Sequence, residues 1–305
     1  MKPARLRPGS TVEVVAPAGP VPEDLLAKGV AMLRSWDLEV RVGSHVTDRH
    51  PRIGHLAGPD AVRAAELTRA WCDPSVDAVL CARGGYGSLR MVDLVDWDAM
   101  AARPTPPVFM GSSDITVLHE EIASRLHVPT FFGPMIATDG FVSDPVAAEH
   151  LRRSLLEPDS VRSLTGPATV PVVDGIARGV LRGGNASLLA AVLGPEDAVP
   201  PPDGCLVLLE DITEDPYRLD GILTQLLRAG WFTGVNGILL GSWTNCGPPQ
   251  DVRAVLDDLV GSLGLPTVWE LGFGHCEGQL TMPLGVEAEL DAANGTVTLL
   301  ESPFS

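Results

Sequence analysis

Short apolar runs alternate with helical patterns through the first half of the chain. Apolar residues spaced three and four positions apart predict helices over Asp24–Trp36, from Pro59–Asp60 to Trp71, and over Ile115–Leu126. Apolar runs between them predict the strands Val12–Ala16, Leu38–Val42, Val76–Ala82 and Pro107–Met110. Strand–turn–helix units in series are typical of a parallel sheet covered by helices, in which ligands bind at the carboxyl ends of the strands.

The second half of the chain mixes strands and helices less regularly. The pattern predicts strands at Gly179–Leu181, Cys205–Leu209, Gly237–Leu240 and Thr267–Leu271, and helices over Ala186–Leu193, Arg218–Ala229 and Val252–Leu263. Val286–Leu290 and Thr296–Leu300 flank Asn294-Gly295, a strong hairpin signal. We therefore predict an α/β fold with a parallel-sheet domain of the flavodoxin or Rossmann type over residues 1–150. A linker region follows over 151–175, and a smaller mixed α+β domain over 176–305.

Composition narrows the functional classes. The 305 residues carry 22 Lys+Arg and 39 Asp+Glu, a net charge of −17, which argues against a protein that tracks nucleic-acid phosphates or docks on anionic lipid. No apolar run approaches a membrane span and no signal-peptide core is present, so a cytoplasmic protein is expected. The five cysteines have no paired or zinc-type spacing, so we expect free thiols and neither a metal nor a cofactor.

The segment 108–119 (VFMGSSDITVLH) places two serines between a predicted strand and a predicted helix. A serine held in such a turn is exposed at the sheet edge, and the next backbone N–H lies at a helix N-terminus, where it stabilises negative charge. This strand–turn–helix arrangement resembles a nucleophile elbow, although Ile115 occupies the position of the second glycine of that motif. An ordinary helix cap explains the same residues, since Ser and Asp are favoured there.

Three further segments carry possible chemistry. Residues 83–87 (RGGYG) follow a buried strand, and their glycines would let the backbone approach a ligand, although a plain turn explains them as well. Glu210-Asp211 ends another apolar strand, with Glu214-Asp215 close behind; these acids could orient a histidine, bind a cation or form an acidic surface loop. His275 lies in a glycine-rich turn after a strand, where a structural role is the commoner alternative.

Taken in order, these motifs resemble the LD-carboxypeptidase family, which includes muramoyl-tetrapeptide carboxypeptidases and microcin C immunity peptidases. The resemblance covers nearly the whole chain. It rests on weak motifs that become specific as an ordered set: residues 14–18 (VVAPA), 83–87 (RGGYG), 111–116 (GSSDIT), 183–185 (GGN), 209–211 (LED) with 216–218 (PYR), and 274–275 (GH).

The resemblance implies a serine peptidase whose catalytic residues come from both domains. Matched by motif, Ser113 is the nucleophile, His275 the base and Glu210 the carboxylate that orients it, with Glu214 as a weaker alternative. Such a triad needs an active site in the cleft between the domains, because its members lie in different halves of the chain. In many family members an aromatic residue precedes the nucleophile, whereas Ser112 precedes it here.

The same resemblance suggests groups that bind substrate. The backbone N–H groups of Asp114 and Gly85 are the expected oxyanion donors. A carboxypeptidase must recognise a free C-terminus, and Arg83, Arg182 or Arg218 could supply the planar fork that pairs with a carboxylate. Microcin-type members tend to carry Trp at the position of Arg182, so this arginine favours the peptidoglycan branch.

The sequence thus predicts a metal-independent serine carboxypeptidase. It would remove the terminal D-alanine from a murein tetrapeptide through an acyl-enzyme, in cell-wall recycling. One alternative is a microcin C-like peptidase acting on a peptidyl- or aminoacyl-nucleotide, and another is a non-catalytic protein that binds a small ligand. A nicotinamide enzyme is disfavoured because the G-x-G-x-x-G spacing is missing. A homodimer is expected, with Trp231 and Phe232 as possible interface residues.

Overall fold

The computed structural model describes residues 1–194 and 203–305. The strands are β1 (Thr11–Val15), β2 (Glu39–Val42), β3 (Ala78–Cys81), β4 (Val108–Gly111), β5 (Thr130–Phe132), β6 (Ser163–Leu164), β7 (Val170–Val173), β8 (Ile176–Asn185), β9 (Leu206–Ile212), β10 (Gly237–Thr244), β11 (Thr267–Trp269), β12 (Met282–Leu284), β13 (Glu287–Asp291) and β14 (Thr296–Leu299). The helices are α1 (Glu23–Ser35), α2 (Asp60–Cys72), α3 (Ser88–Met91), α4 (Trp97–Ala101), α5 (Thr116–Glu121), α6 (Asp139–Val142), α7 (Pro145–Leu156), α8 (Ala186–Ala191), α9 (Pro216–Arg228) and α10 (Pro249–Leu259).

The first sheet has six strands in the order β12-β5-β4-β3-β1-β2. Its five N-terminal strands are parallel, and β12 adds an antiparallel edge. Every residue of β3 and β4 is buried, as expected for central parallel strands with apolar clusters on both faces. The predicted α/β class, with a parallel sheet in the first half, is confirmed.

The second sheet has eight strands in the order β6-β14-β13-β8-β9-β10-β11-β7. Strands β8, β9, β10 and β11 run parallel, while β7, β13 and β14 pair antiparallel with their neighbours. The predicted hairpin around Asn294-Gly295 is β13–β14. One further apolar cluster lies in this half of the chain, and a second is formed mostly by this half together with Phe132 of β5.

Several short elements differ from the sequence pattern. The predicted helix Ile115–Leu126 is interrupted: α5 covers only 116–121, and a π-helical turn follows over 122–126. Strands β5, β6 and β12 were not predicted, because two or three residues are too few for a periodicity to be visible. In the predicted linker region 151–175, β6 pairs with β14 and β7 pairs with β11, so this segment contributes both edges of the second sheet.

The expected role of Trp231 and Phe232 in a subunit interface is wrong. Their exposed fractions are 2% and 8%, and the two rings pack edge to face at 5.1 Å within the chain's own core. These two side chains are therefore not exposed to contact a partner subunit. Within the ranges 1–194 and 203–305, no helix is long and apolar enough to cross a membrane.

Candidate active site

The turn that carries Ser113 is tight and strained. It follows β4 directly, and a Cβ added to Gly111 would lie 2.6 Å from Ile115 Cγ2, so only glycine fits at the end of the strand. Ser113 has φ +59°, a left-handed conformation that costs a non-glycine residue about 1–3 kcal/mol. Strain of this kind persists where surrounding contacts enforce it, and it holds Ser113 out of the helix that begins at Thr116.

The glycine loop 83–87 lies against this turn. A Cβ on Gly84 would stand 3.1 Å from Ser113 Cβ and 3.4 Å from the Asp114 nitrogen. The Gly84 carbonyl accepts a hydrogen bond from the Gly19 N–H at 3.0 Å. Because C=O and N–H of a trans peptide point in opposite directions, the Gly85 N–H points away from Gly19. It donates no hydrogen bond to the described residues, so it is free to donate one to a ligand oxygen.

Asp114 holds the two segments together. Its carboxylate, 1% exposed, accepts hydrogen bonds from the Ser88 N–H at 2.8 Å and from the Ser88 hydroxyl. Ser88 begins α3 directly after the glycine loop. The Asp114 side chain therefore fixes the loop beside Ser113, a role that the helix-cap alternative did not anticipate.

On the other domain, Glu210 and His275 form a hydrogen-bonded pair. His275 Nδ1 lies 2.7 Å from Glu210 Oε2, and the Glu210 side chain is fully buried. Glu210 lies in β9, and His275 lies in the loop between β11 and β12, as their sequence positions predict. Glu214 pairs instead with Arg218 at 3.2 Å.

Burial alone would lower the pKa of His275. The hydrogen bond that the ring donates to Glu210, together with the charges of Glu210 and Asp211, outweighs this effect, so the pKa of His275 lies above its usual value. Burial raises the pKa of Asp211 to about 6, with a further contribution from the neighbouring Glu210 charge. An imidazole so placed is a strong base whose protonated form is stabilised by the adjacent carboxylate.

Asn185 connects the acid pair to the helix that follows Ser113. Its side-chain NH2 donates to Glu210 Oε1 at 3.2 Å and to Asp211 Oδ1 at 2.9 Å. Its backbone N–H donates to Thr116 Oγ1 at 3.0 Å. Thr116 is the first residue of α5, three positions after Ser113, so one residue of the second domain contacts both parts of the site.

Ser113 and His275 line the same cavity of about 760 Å³. The glycine loop contributes Arg83 and Gly85, and further walls come from Ser112, from α6 and the start of α7, and from the segment 274–279. Arg182 and Arg218 are not among the lining residues within the described ranges. Arg182 is nearly buried and pairs with Glu120 at 2.9 Å, in a contact between β8 and α5.

Sequence reasoning missed Gln279, a residue of the cavity wall. Its exposed fraction is 7%, and its side chain makes no hydrogen bond to the described part of the chain. Nothing in its local sequence marks it, since it lies in a loop four residues beyond His275. Asn185 was visible in the motif at 183–185 but carried no assigned role.

The cation site considered for the acidic residues 210–215 does not form. Among the described residues, no group of three Asp, Glu, His or Cys side chains is arranged to hold a metal ion. The Glu210 and Asp211 carboxylates are instead occupied by donors from the protein, notably Asn185, Ser187 and His275.

Comparison with known proteins adds to this geometry. The sequence profile of the LD-carboxypeptidase N-terminal domain matches residues 12–133, and that of the LD-carboxypeptidase C-terminal domain matches residues 178–290. A putative carboxypeptidase of Streptomyces coelicolor is 56% identical over 299 residues, covering 98% of this chain and 96% of the relative. A probable murein peptide carboxypeptidase of Bacillus subtilis is 34% identical and covers 98% and 94%.

Solved structures of other proteins share the fold. MccF, determined in complex with glutamyl sulfamoyl guanosine, superposes with a TM-score of 0.89 at 20% identity and covers 100% of this chain and 99% of its own. At that identity the similarity concerns the fold alone. A muramoyltetrapeptide carboxypeptidase from Oxalobacter formigenes has a TM-score of 0.79 at 27% identity and covers 95% and 98%.

Proposed function

This chain belongs to the LD-carboxypeptidase family, and from that premise we propose that it is a serine carboxypeptidase that removes the terminal D-alanine from murein tetrapeptides. The observation that carries the proposal is the Glu210–His275 pair at 2.7 Å, facing the cavity that the strained Ser113 turn also lines. The family are serine-type carboxypeptidases, so the proposal concerns which residues act here and on what substrate.

In the first half of the reaction Ser113 forms an ester. His275 Nε2 takes the hydroxyl proton as Ser113 Oγ attacks the scissile carbonyl carbon. The carbonyl oxygen becomes an oxyanion, to which the N–H groups of Gly85 and Asp114 donate. The C–N bond then breaks, and the imidazolium returns its proton to the nitrogen of the departing D-alanine.

In the second half of the reaction, a water molecule is the nucleophile that attacks the ester. His275 accepts a proton from water as the water oxygen attacks the ester carbon, and the same N–H groups hold the oxyanion. The C–O bond to Ser113 breaks, its oxygen regains the proton from His275, and the shortened peptide leaves with a new carboxylate. Throughout, Glu210 holds Nδ1 of the ring so that Nε2 is available.

The substrate assignment rests on relatives and on the cavity. One relative is named a probable murein peptide carboxypeptidase, and one solved structure with this fold is that of a muramoyltetrapeptide carboxypeptidase. Of the residues that line the cavity, Arg83 is the one with a permanent positive charge, and we assign it to the terminal carboxylate of the substrate. The ion pairs of Arg182 and Arg218 with Glu120 and Glu214 disfavour the same role for them. The expected cytoplasmic location and homodimer belong to this proposal.

Release of D-alanine from a muramoyl tetrapeptide tests the proposal. The wild-type protein should release it, and Ser113→Ala should lower kcat by on the order of 10⁴-fold or more. Ser112→Ala is the matched control, because Ser112 lies beside Ser113 in the same cavity and should be dispensable. Cleavage of an aminoacyl-sulfamoyl adenosine without cleavage of the tetrapeptide would favour the microcin-type alternative. Absence of cleavage of either would contradict a peptidase.

A further inference from the structure

A second cavity continues the catalytic one across Arg83. It has a volume of about 410 Å³, and both Arg83 and Gly85 line it as well as the catalytic cavity. Its other walls include Arg49, His55 and Tyr86. Because Gly85 also carries the N–H expected to meet the oxyanion, the second cavity begins directly beside the reacting carbonyl.

The guanidinium groups of Arg49 and Arg83 contact two consecutive carbonyl groups of the loop that follows β1. Arg83 Nη1 donates to the Pro20 carbonyl at 3.2 Å, and Arg49 Nη2 donates to the next carbonyl, that of Val21, at 3.4 Å. Each of these two arginines uses one N–H in this way and has no carboxylate partner in the described part of the chain. A guanidinium has five N–H donors, so most of those on both groups are unused.

Arg49 and Arg83 line the same cavity, and neither has a carboxylate partner in the described part of the chain. At the domain junction, by contrast, Arg182 pairs with Glu120. Two guanidinium groups that line one cavity favour an anionic ligand there, because both attract its negative charge. In a carboxypeptidase substrate, the anionic group near the scissile bond is the carboxylate of the residue that is released.

We propose that Arg49 acts with Arg83 to bind the terminal carboxylate of the substrate, and so selects peptides with a free C-terminus. This rests on the proposed carboxypeptidase function and adds a residue from outside the catalytic cavity. Hydrogen bonds to the Pro20 and Val21 carbonyls hold the two guanidinium groups in place before substrate binds, which reduces the entropy lost on binding. The adjoining rings of His55 and Tyr86, 5.3 Å apart and edge to face, form a wall for the released residue.

The test compares a tetrapeptide whose terminal residue has a free carboxylate with the same peptide ending in a carboxamide. For the wild type, kcat/KM should favour the acid by about 10- to 100-fold, the range for a hydrogen bond to a charged group. Arg49→Gln should reduce that preference several-fold, because kcat/KM for the acid should fall more than kcat/KM for the amide. Arg52→Gln is the matched control, since Arg52 lies exposed on the same loop and lines neither cavity.

Two results would overturn the inference. One is an acid-to-amide preference that Arg49→Gln leaves at the wild-type value, and the other is an equal loss on both peptides, which would place Arg49 against another part of the substrate. Dissociation constants of both peptides with the Ser113→Ala protein give the same comparison without turnover. Failure of the proposed function would look different, because the wild type would then cleave neither peptide.

Discussion

Replacing Glu210 by glutamine should trap His275 in the wrong tautomer, and the structure gives the reason. The Asn185 NH2 group faces Glu210 Oε1, and its own orientation is fixed because Asn185 Oδ1 accepts from the Ser187 hydroxyl and the Leu188 N–H. A glutamine at position 210 must therefore turn its oxygen toward Asn185. Its NH2 group then faces His275 Nδ1, which has to accept.

An imidazole that accepts at Nδ1 carries its proton on Nε2 and cannot take one from Ser113. We expect Glu210→Gln to lower kcat for D-alanine release by on the order of 10⁴-fold, the cost of a wrong tautomer in the serine-protease triad. That factor corresponds to about 5 kcal/mol of activation free energy. The change is nearly isosteric, so the melting temperature should move little.

The pH profile provides a second measurement. In the wild type the pKa of His275 is raised by Glu210, so kcat/KM should fall as pH decreases through a value above 6.5. Glu214→Gln is the matched control, because Glu214 contacts Arg218 and not the imidazole, and it should retain both the rate and the profile. A Glu210→Gln protein with kcat within about tenfold of wild type would refute the reasoning.

Three further outcomes are expected. Gly84→Ala should lower kcat/KM by about 10²- to 10³-fold, as for loss of an oxyanion donor, because its methyl group would lie 3.1 Å from Ser113 Cβ; an unchanged rate would contradict this placement. Gln279→Leu should raise KM for the peptide while the urea midpoint stays the same, because the free protein loses no hydrogen bond; a fall in the midpoint alone would assign Gln279 a structural role. Burial lowers the pKa of His119 to about 4 from 6.5, so the unfolded chain binds a proton that the folded one does not. The free energy of unfolding of the wild type relative to His119→Gln should therefore decrease as pH falls from 6.5 to 4 and be constant above 6.5, as measured by urea titration.

Local signals made the strands, the turns and the chemistry of the site predictable. The buried run at 76–82 could be recognised because parallel strands covered on both faces are continuously apolar. The serine turn at 111–116 was visible because residue type and strand boundary coincide there, and Glu210 because an acid follows an apolar run directly. The fold class and most elements of five residues or more follow from such patterns.

Contacts between distant segments were not predictable in this way. Strand β12 lies in the second half of the chain but pairs with β5 of the first sheet, and three residues carry no signal of their partner. The position of Gly84 against Ser113, and of Arg49 on the same cavity as Arg83, depends on how loops from separate units pack. Spacing within a single sequence does not encode those distances.

The junction between the domains determines whether the site can act. Gly184 packs so closely on α5 that a Cβ there would lie 2.6 Å from Thr116 Oγ1. Beside it, the Arg182–Glu120 pair has side-chain exposures of 10% and 13%, and loss of one partner would leave a charge buried without its counter-ion. These contacts fix the helix that follows Ser113 against the strand that leads to Asn185, and Asn185 in turn holds Glu210. Packing and hydrogen bonds between the two domains thus position Ser113 and the Glu210–His275 pair, so the proposed mechanism requires residues far apart in sequence to fold together.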